Sequence, residues 1–309
     1  MEKIIITSYR IPDIDWVACA LWYEEYLNKT GIPAISALPK TLTPESEWVL
    51  DFIEKKDIKY FDEYYSLDAK IILVDTSDPT SIDQKIQKEQ VIEVIDHRKF
   101  HHADEFINAK QNIELVGSAS TLIAEKFSQN SITPSREVAV CLYAAIVSNT
   151  IWFQADVTTQ RDKDMAHFLL PYCNIPNTFI QEMFEAKSKV DKPLQEFLFD
   201  ELVFYNFWNY KVWITQIEIY DGKSFVQSYK QEIIEILDVW KKEKHLDFIF
   251  CTLIDIKNLN NIFLTHQETT QEILQKILDI NFVENEAKNS KIILRKQITP
   301  QLDSYFQKL

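Results

Sequence analysis

Glycine is almost absent: the 309 residues contain only Gly31, Gly117 and Gly222. Scarcity on that scale excludes a Walker phosphate loop and the GxGxxG turn of a dinucleotide fold, both of which need glycines a few residues apart. Phosphate chemistry in this chain must use metal ions, arginine, lysine and helix N-termini instead. Cysteine is scarce as well. Cys19, Cys141, Cys173 and Cys251 form no CxxC or CxxH pair, which argues against a disulfide framework and a structural zinc site. Cys19, Cys141 and Cys251 sit in apolar runs and read as buried free thiols. No stretch approaches the roughly 20 apolar residues of a membrane span. The apolar run in MEKIIITSY is too short for a signal-peptide core, so a cytoplasmic location is expected. Positive charge is in deficit, with a net charge of −14. That disfavours duplex nucleic acid and membrane as partners. It leaves room for a small anionic substrate held by a metal and a few basic side chains.

The length suits two domains of about 100–200 residues each. In the first half, short apolar runs alternate with helical periods. Lys3–Ser8, Lys70–Val74 and Val91–Ile95 read as strands. Trp16, Ala20, Tyr23 and Leu27 mark one face of a helix, Ser118–Phe127 a second with Ser118 or Ser120 as N-cap, and Val138–Val147 a buried third. Trp152 and Phe153 read as core residues, and His101 and His102 as solvated loop positions. Such alternation predicts an α/β domain, a mainly parallel sheet with helices on both faces. The chain turns polar around 186–195 (AKSKVDKPLQ), which sets the expected organisation: a catalytic domain over 1–186, a linker over 187–195 and a smaller domain over 196–309. In the smaller domain Lys211–Ile219, Phe248–Ile254, Asn261–Leu264 and Lys291–Leu294 read as strands. Helices run through Ile233, Ile236, Leu237 and Trp240, and through Ile273, Leu274, Ile277 and Leu278. This makes it α/β or α+β.

Three strands of the first domain run into metal-type ligands: Pro12-Asp13-Ile14-Asp15, Asp75, and Asp96-His97-Arg98. Parallel strands direct their C-terminal ends to one edge, where ligands bind at the switch in strand order. Asp13 and Asp15, two apart in an extended turn, can address adjacent ions. Several carboxylates and one imidazole cannot remain ionised together without cations. Oxygen-rich ligation with one His suits Mn2+ or Mg2+, with Co2+ as a further candidate. The chain has five arginines, Arg10, Arg98, Arg136, Arg161 and Arg295; Arg10, Arg98 and Arg295 abut these segments or the Arg295-Lys296 pair, which suits anion binding.

These segments resemble the DHH phosphoesterase superfamily. PDID at 12–15, VD at 74–75 and IDHR at 95–98 are similar to its first three motifs, GSAST at 117–121 to its small-residue helix start, and AAIVSNT at 144–150 to its fourth motif. ILRKQITPQL at 293–302 and KVWITQIE at 211–218 resemble the C-terminal DHHA-type domain of family II, manganese-dependent, inorganic pyrophosphatases. The resemblance implies a two-metal active site in the cleft between the domains. Asp13, Asp15, Asp75 and His97 would be ligands, with Asn149 offering an amide oxygen, and Ser118 and Arg98 would contact substrate together with Arg295 and Lys296. Asp13, Asp75, His97 and Arg98 would be the catalytic set. A metal-activated water would hydrolyse pyrophosphate or short-chain polyphosphate, and the chain would form a homodimer. The sequence departs from the pyrophosphatase pattern at Tyr9 for a His, Arg98 for a His and Asn149 for an Asp. A substrate-binding lysine expected shortly after Asp200 has no match. Asp-His-Arg is similar to the prune-like branch. The alternatives are a phosphodiesterase or nanoRNase of the same superfamily, or a member without turnover that binds a phosphate ligand or a protein partner.

Overall fold

The structure is a computed structural model that describes residues 4–9, 12–98 and 102–308. Lys3, Arg10 and His101 lie outside the described residues. The chain divides into two compact units, Met1–Ala186 and Lys187–Leu309.

In the first unit, β1 (Ile4–Thr7) leads into α1 (Ile14–Lys29), followed by β2 (Ala34–Ser36), α2 (Pro44–Phe52), α3 (Phe61–Tyr64), β3 (Lys70–Val74), β4 (Val91–Asp96) and β5 (Lys110–Ile113). Four helices complete it: α4 (Ala119–Gln129), α5 (Arg136–Asn149), α6 (Gln160–Cys173) and α7 (Phe179–Lys187). The central strands β1, β3 and β4 are short β-branched runs, as buried parallel strands require, whereas the edge strand β5 (KQNI) is polar and partly exposed. They form one parallel sheet in the order β2-β1-β3-β4-β5. Ile5, Ile71, Leu73 and Val94 pack with Phe61 of α3 on one face. The alternating Ile6, Ile72 and Val74 are buried too, and α1 and α4 pack on the strands. The order reverses direction between β1 and β3, so a crevice opens at the carboxyl ends of those two strands.

Helix starts follow their caps. Asp13 caps α1, accepting from Trp16 N at 3.0 Å, and Ser118 caps α4. Asp15 therefore stands in the first turn of α1, not in the extended turn that the sequence suggests. That helix is also buried well beyond the single face marked by Trp16, Ala20, Tyr23 and Leu27, because α2, α4 and α5 all pack on it. Beyond α5 the chain winds left-handed through Ile151, Trp152 and Phe153, all with positive φ. The reversal corrects one expectation: Trp152 is exposed at 48% and Phe153 is only half-buried, so neither is a core residue.

The second unit holds α8 (Leu194–Asp200), β6 (Leu202–Phe207), β7 (Tyr210–Ile219), α9 (Gly222–Lys244), β8 (Phe248–Asp255), β9 (Asn260–Leu264), α10 (Glu268–Leu278), β10 (Phe282–Val283), β11 (Glu286–Asn289) and α11 (Arg295–Phe306). Its sheet runs β10-β11-β9-β8-β7-β6 and is antiparallel except for the β7–β8 pair. Alternation along the strands builds two cores. Ile217, Ile219, Ile249 and Leu253 pack with Leu237 and Trp240 of α9. Val212, Ile214 and Phe250 pack with Leu274 of α10 and Ile298 and Leu302 of α11. The expected strand at 291–294 is not one. That segment is the irregular lead into α11, where Gln297 Oε1 accepts from Leu294 N at 2.8 Å and fixes the helix start; the strand next to β9 is β11 instead.

Candidate metal centre

Asp75 is the hinge of the site. It directly follows β3 and has φ 54°, a left-handed conformation that costs a non-glycine residue of order 1–3 kcal/mol. Its N–H donates to Ile95 O at 2.7 Å, so the neighbouring strand β4 holds the turn in place. The carboxylate is buried, and its two oxygens differ. Oδ2 accepts from the Tyr9 hydroxyl at 2.8 Å. Oδ1 is buried without a hydrogen-bond partner and lies 3.3 Å from His97 Nε2.

His97 follows β4 and is oriented from behind. Its Nδ1 lies 3.0 Å from Val116 O. A carbonyl can only accept, so Nδ1 carries a proton, and in the neutral ring that a metal requires it is the Nε2 lone pair that faces the carboxylates. Asp96 anchors the same turn, accepting from His97 N at 2.8 Å and from Ser77 Oγ. Burial works against charge on the His97 ring, but Asp75 and Asp15 outweigh it and lift its pKa to about 9. Burial and the neighbouring Asp15 push Asp75 up to about 7, with His97 opposing.

Asp15 is wholly buried, and the N-terminus of α4 compensates its charge. Oδ1 accepts from Ser118 Oγ and Ser120 N, both at 2.8 Å. Oδ2 accepts from Ala119 N at 2.8 Å and from Asn149 Nδ2 at 2.5 Å. One ligand atom from each of Asp15, Asp75 and His97 lies within 4.8 Å of the other two. Two carboxylates and one imidazole, with a buried oxygen lacking any donor, fit a hard divalent cation.

The sequence-derived residues fall into two sets. Asp13, Asp15, Asp75, His97, Arg98, Ser118 and Asn149 are all in the first unit. Asp13 is half-buried, caps α1 and is not one of the residues grouped within 4.8 Å. Ser118 has its hydroxyl committed to Asp15 and Ser120, so it serves the carboxylate. Arg98 donates from Nη2 to Asp75 O at 3.1 Å, with its guanidinium carbon 5.6 Å from the centre of the Tyr9 ring and its side chain 41% exposed. Arg295 and Lys296 open α11 in the second unit, where Arg295 Nη1 donates to Glu201 O at 2.6 Å and Lys296 is exposed.

Three groups support the site in roles that sequence reasoning missed. Tyr9 acts as a donor to Asp75, a role its ligand-poor chemistry did not suggest. Val116 contributes only a carbonyl. Asp162, buried, accepts from Gly117 N through both oxygens at 3.0 and 2.9 Å and from Thr121 Oγ1 at 2.6 Å, fixing the loop that carries Val116 and Ser118. Its one sequence signal was the Thr-x-x-Asp spacing of a capping box at Thr159, whose side chain and N–H both bond to Asp162.

The chain is similar to known proteins over nearly its full length. Residues 3–146 match the DHH family, N-terminal domain, and residues 181–305 match the DHHA2 domain. A protein named manganese-dependent inorganic pyrophosphatase from Methanothrix thermoacetophila is 27% identical over 312 residues, covering 99% of each chain. A solved structure of a candidate family II inorganic pyrophosphatase from Methanococcus jannaschii superposes with a TM-score of 0.76 at 26% identity, covering 98% of this chain and 99% of that one. An exopolyphosphatase-related protein from Bacteroides fragilis shares the fold, with a TM-score of 0.52 at 14% identity over 99% of this chain and 92% of its own.

Proposed function

We propose that this chain, which belongs to the DHH family and carries a DHHA2 domain, is a metal-dependent hydrolase of phosphoanhydride bonds, acting on inorganic pyrophosphate or short-chain polyphosphate. One observation carries the reading. At the switch point of a parallel sheet, a buried carboxylate oxygen of Asp75 lacks a donor and shares a cage with Asp15 and His97, while Arg98 stands beside it. The names of the relatives support Mn2+, with Mg2+ or Co2+ as alternatives. The resemblance implies two ions; Tyr9, Arg98 and Asn149 bear on that count.

Asp15, Asp75 and His97 would hold the cation, with Asp13 at the rim and the Asn149 amide oxygen available if the amide turns over. A divalent cation there would acidify a water and neutralise phosphate charge. The chain's own work is positioning. Val116 O holds the His97 ring so that Nε2 faces inward, and the α4 N-terminus donates backbone hydrogen bonds that hold the buried Asp15 carboxylate in place. Arg98 spends Nη2 on Asp75 O and has Nε 3.7 Å from Asp96 Oδ1, while its half-exposed guanidinium can turn an edge to phosphate oxygens, which match it in geometry. Arg295 and Lys296 of the second unit are the further anion contacts we assign. We also assign residues 1–186 to the catalytic domain, 187–195 to a linker and 196–309 to a substrate-binding domain, in a cytoplasmic homodimer. Among the described residues no helix is long and apolar enough to cross a membrane.

The test is phosphate release from pyrophosphate, tripolyphosphate and a dinucleotide, each with Mn2+, Mg2+ or Co2+. Release from the two anhydrides is expected, with at least a hundredfold loss in Asp75→Ala, on the order of the effect of deleting a key electrostatic group. Preference for the dinucleotide, or silence on every substrate, would overturn the reading.

A further inference from the structure

The two oxygens of Asp75 look onto different surroundings. On the Oδ1 side are His97 Nε2 and Asp15, with a ligand atom from each of the three residues mutually within 4.8 Å, and the Asn149 amide touches Asp15 Oδ2 on the same side. On the Oδ2 side the lone pair is already taken by the Tyr9 hydroxyl, which donates its proton at 2.8 Å. The Tyr9 ring in turn packs under the Arg98 guanidinium, 5.6 Å from ring centre to carbon, and Arg98 is tied to Asp75 O at 3.1 Å. A cation bridging from Oδ2 toward Asp13 would have to displace a hydrogen-bonded phenol and stand next to a fixed positive charge. A cation on the Oδ1 side meets neither obstacle.

We infer that the centre holds a single divalent cation per chain, on Asp15, Asp75 and His97, and that the Arg98 guanidinium, braced on Tyr9, takes the place of a second cation as the phosphate grip. The inference rests on the reading of the site as a metal-dependent hydrolase and narrows it. Arg98 suits the role because a planar, permanently charged fork grips two phosphate oxygens at once without needing ligands of its own. Its partial exposure, 41% of the side chain, leaves donors available.

The full-length protein, stripped of metal and dialysed against excess Mn2+, gives the test by metal analysis and electron paramagnetic resonance. One Mn2+ per chain with the resolved hyperfine pattern of an isolated ion is expected. Two Mn2+ per chain with a broadened, exchange-coupled signal would overturn the inference, and so would no uptake at all. Phosphate release in the same preparation keeps the two readings apart. Activity with two ions overturns the ion count and leaves the hydrolase standing, whereas one bound ion without activity on any substrate does the reverse. The double variant Tyr9→His, Arg98→His should gain a second, coupled ion, and a count that stays at one would overturn the blocking role given to Tyr9 and Arg98. Should that variant fail to fold, the wild-type count still decides. Arg98→Ala should raise KM for pyrophosphate about tenfold or more, the effect of losing a charge-assisted hydrogen bond, at an unchanged Mn2+ count. An unchanged KM would overturn the assignment of Arg98 as the grip.

Discussion

Asn149 Nδ2 donates to Asp15 Oδ2 at 2.5 Å, a single contact that joins the C-terminal end of α5 to the first turn of α1. The amide donates a hydrogen bond to the buried Asp15 where a carboxylate would have supplied a second negative charge. Asn149→Asp removes that donor and sets two carboxylates against each other. The metal-free variant should lose about 1–3 kcal/mol of stability. Mn2+ should return more stability to the variant than to the wild type. Urea unfolding with and without Mn2+ checks both statements, and equal metal-free stabilities would refute the role given to this bond.

Tyr9 does the same for Asp75. Its hydroxyl is the donor to Oδ2, and the carboxylate is buried. Tyr9→Phe keeps the ring under Arg98 and deletes only the hydroxyl, leaving a second oxygen of Asp75 without a donor. The metal-free protein should be destabilised by about 1–3 kcal/mol, the cost of an unsatisfied buried acceptor. Calorimetric melting of wild type and variant would reveal it; coincident melts would mean that Asp75 does not depend on Tyr9.

Gly117 is needed for room. A Cβ there would meet Thr150 Cγ2 at 2.6 Å and Asp162 Oδ2 at 3.0 Å, and neither neighbour is free to yield. Thr150 bonds Ile146 O at 2.6 Å, and Asp162 is held by Thr121 and Thr159. Gly117→Ala should cost about 1–3 kcal/mol by overpacking. Because the same loop carries Val116 O and the Ser118 cap, Mn2+ affinity should fall roughly 10–100-fold, as when groups behind a metal ligand are disturbed. Calorimetric titration with Mn2+ measures this, and unaltered affinity would separate the loop from the site.

Three strands of the first unit's sheet, β1, β3 and β4, were legible because they are short β-branched runs, two of them ending at Asp75 or Asp96-His97. The convergence of Asp15, Asp75 and His97 follows from their parallel topology. The short β2 (AIS) and the polar edge strand β5 (KQNI) carry no such signal and were not read. What stayed hidden depends on contacts distant in sequence. Asp15 and the α4 N-terminus are more than a hundred positions apart, so the GSAST segment read as a helix start and not as the clamp on a buried carboxylate. Tyr9 read as a failed ligand, because its value as a donor appears only once Asp75 Oδ2 is placed beside it. Trp152 read as core because its neighbours are apolar. Three successive left-handed residues, which no glycine announces, turn it outward. The 291–294 segment has strand-like composition but lies where Gln297 caps a helix.

The same buried cluster makes the metal-free protein sensitive to pH. Asp75 titrates near 7 in the folded chain, above the ~3.9 of a free Asp, and His97 near 9, above ~6.5. Both folded values are raised, so the folded state binds more protons than the unfolded state between pH ~4 and ~9. Stability contributed by the protonated forms is therefore complete at the acid end of that window and is lost as pH rises through 7 and then 9. Bound metal competes for the same lone pairs, so Mn2+ binding should release protons and tighten as pH rises across the same range. Urea midpoints of metal-free protein at pH 5, 7 and 9 should fall in that order, and Asp75→Asn should flatten the fall. With saturating Mn2+ the trend should weaken or reverse. A metal-free midpoint that climbs with pH, or Mn2+ affinity that does not, would show that Asp75 and His97 are not the groups competing for the ion.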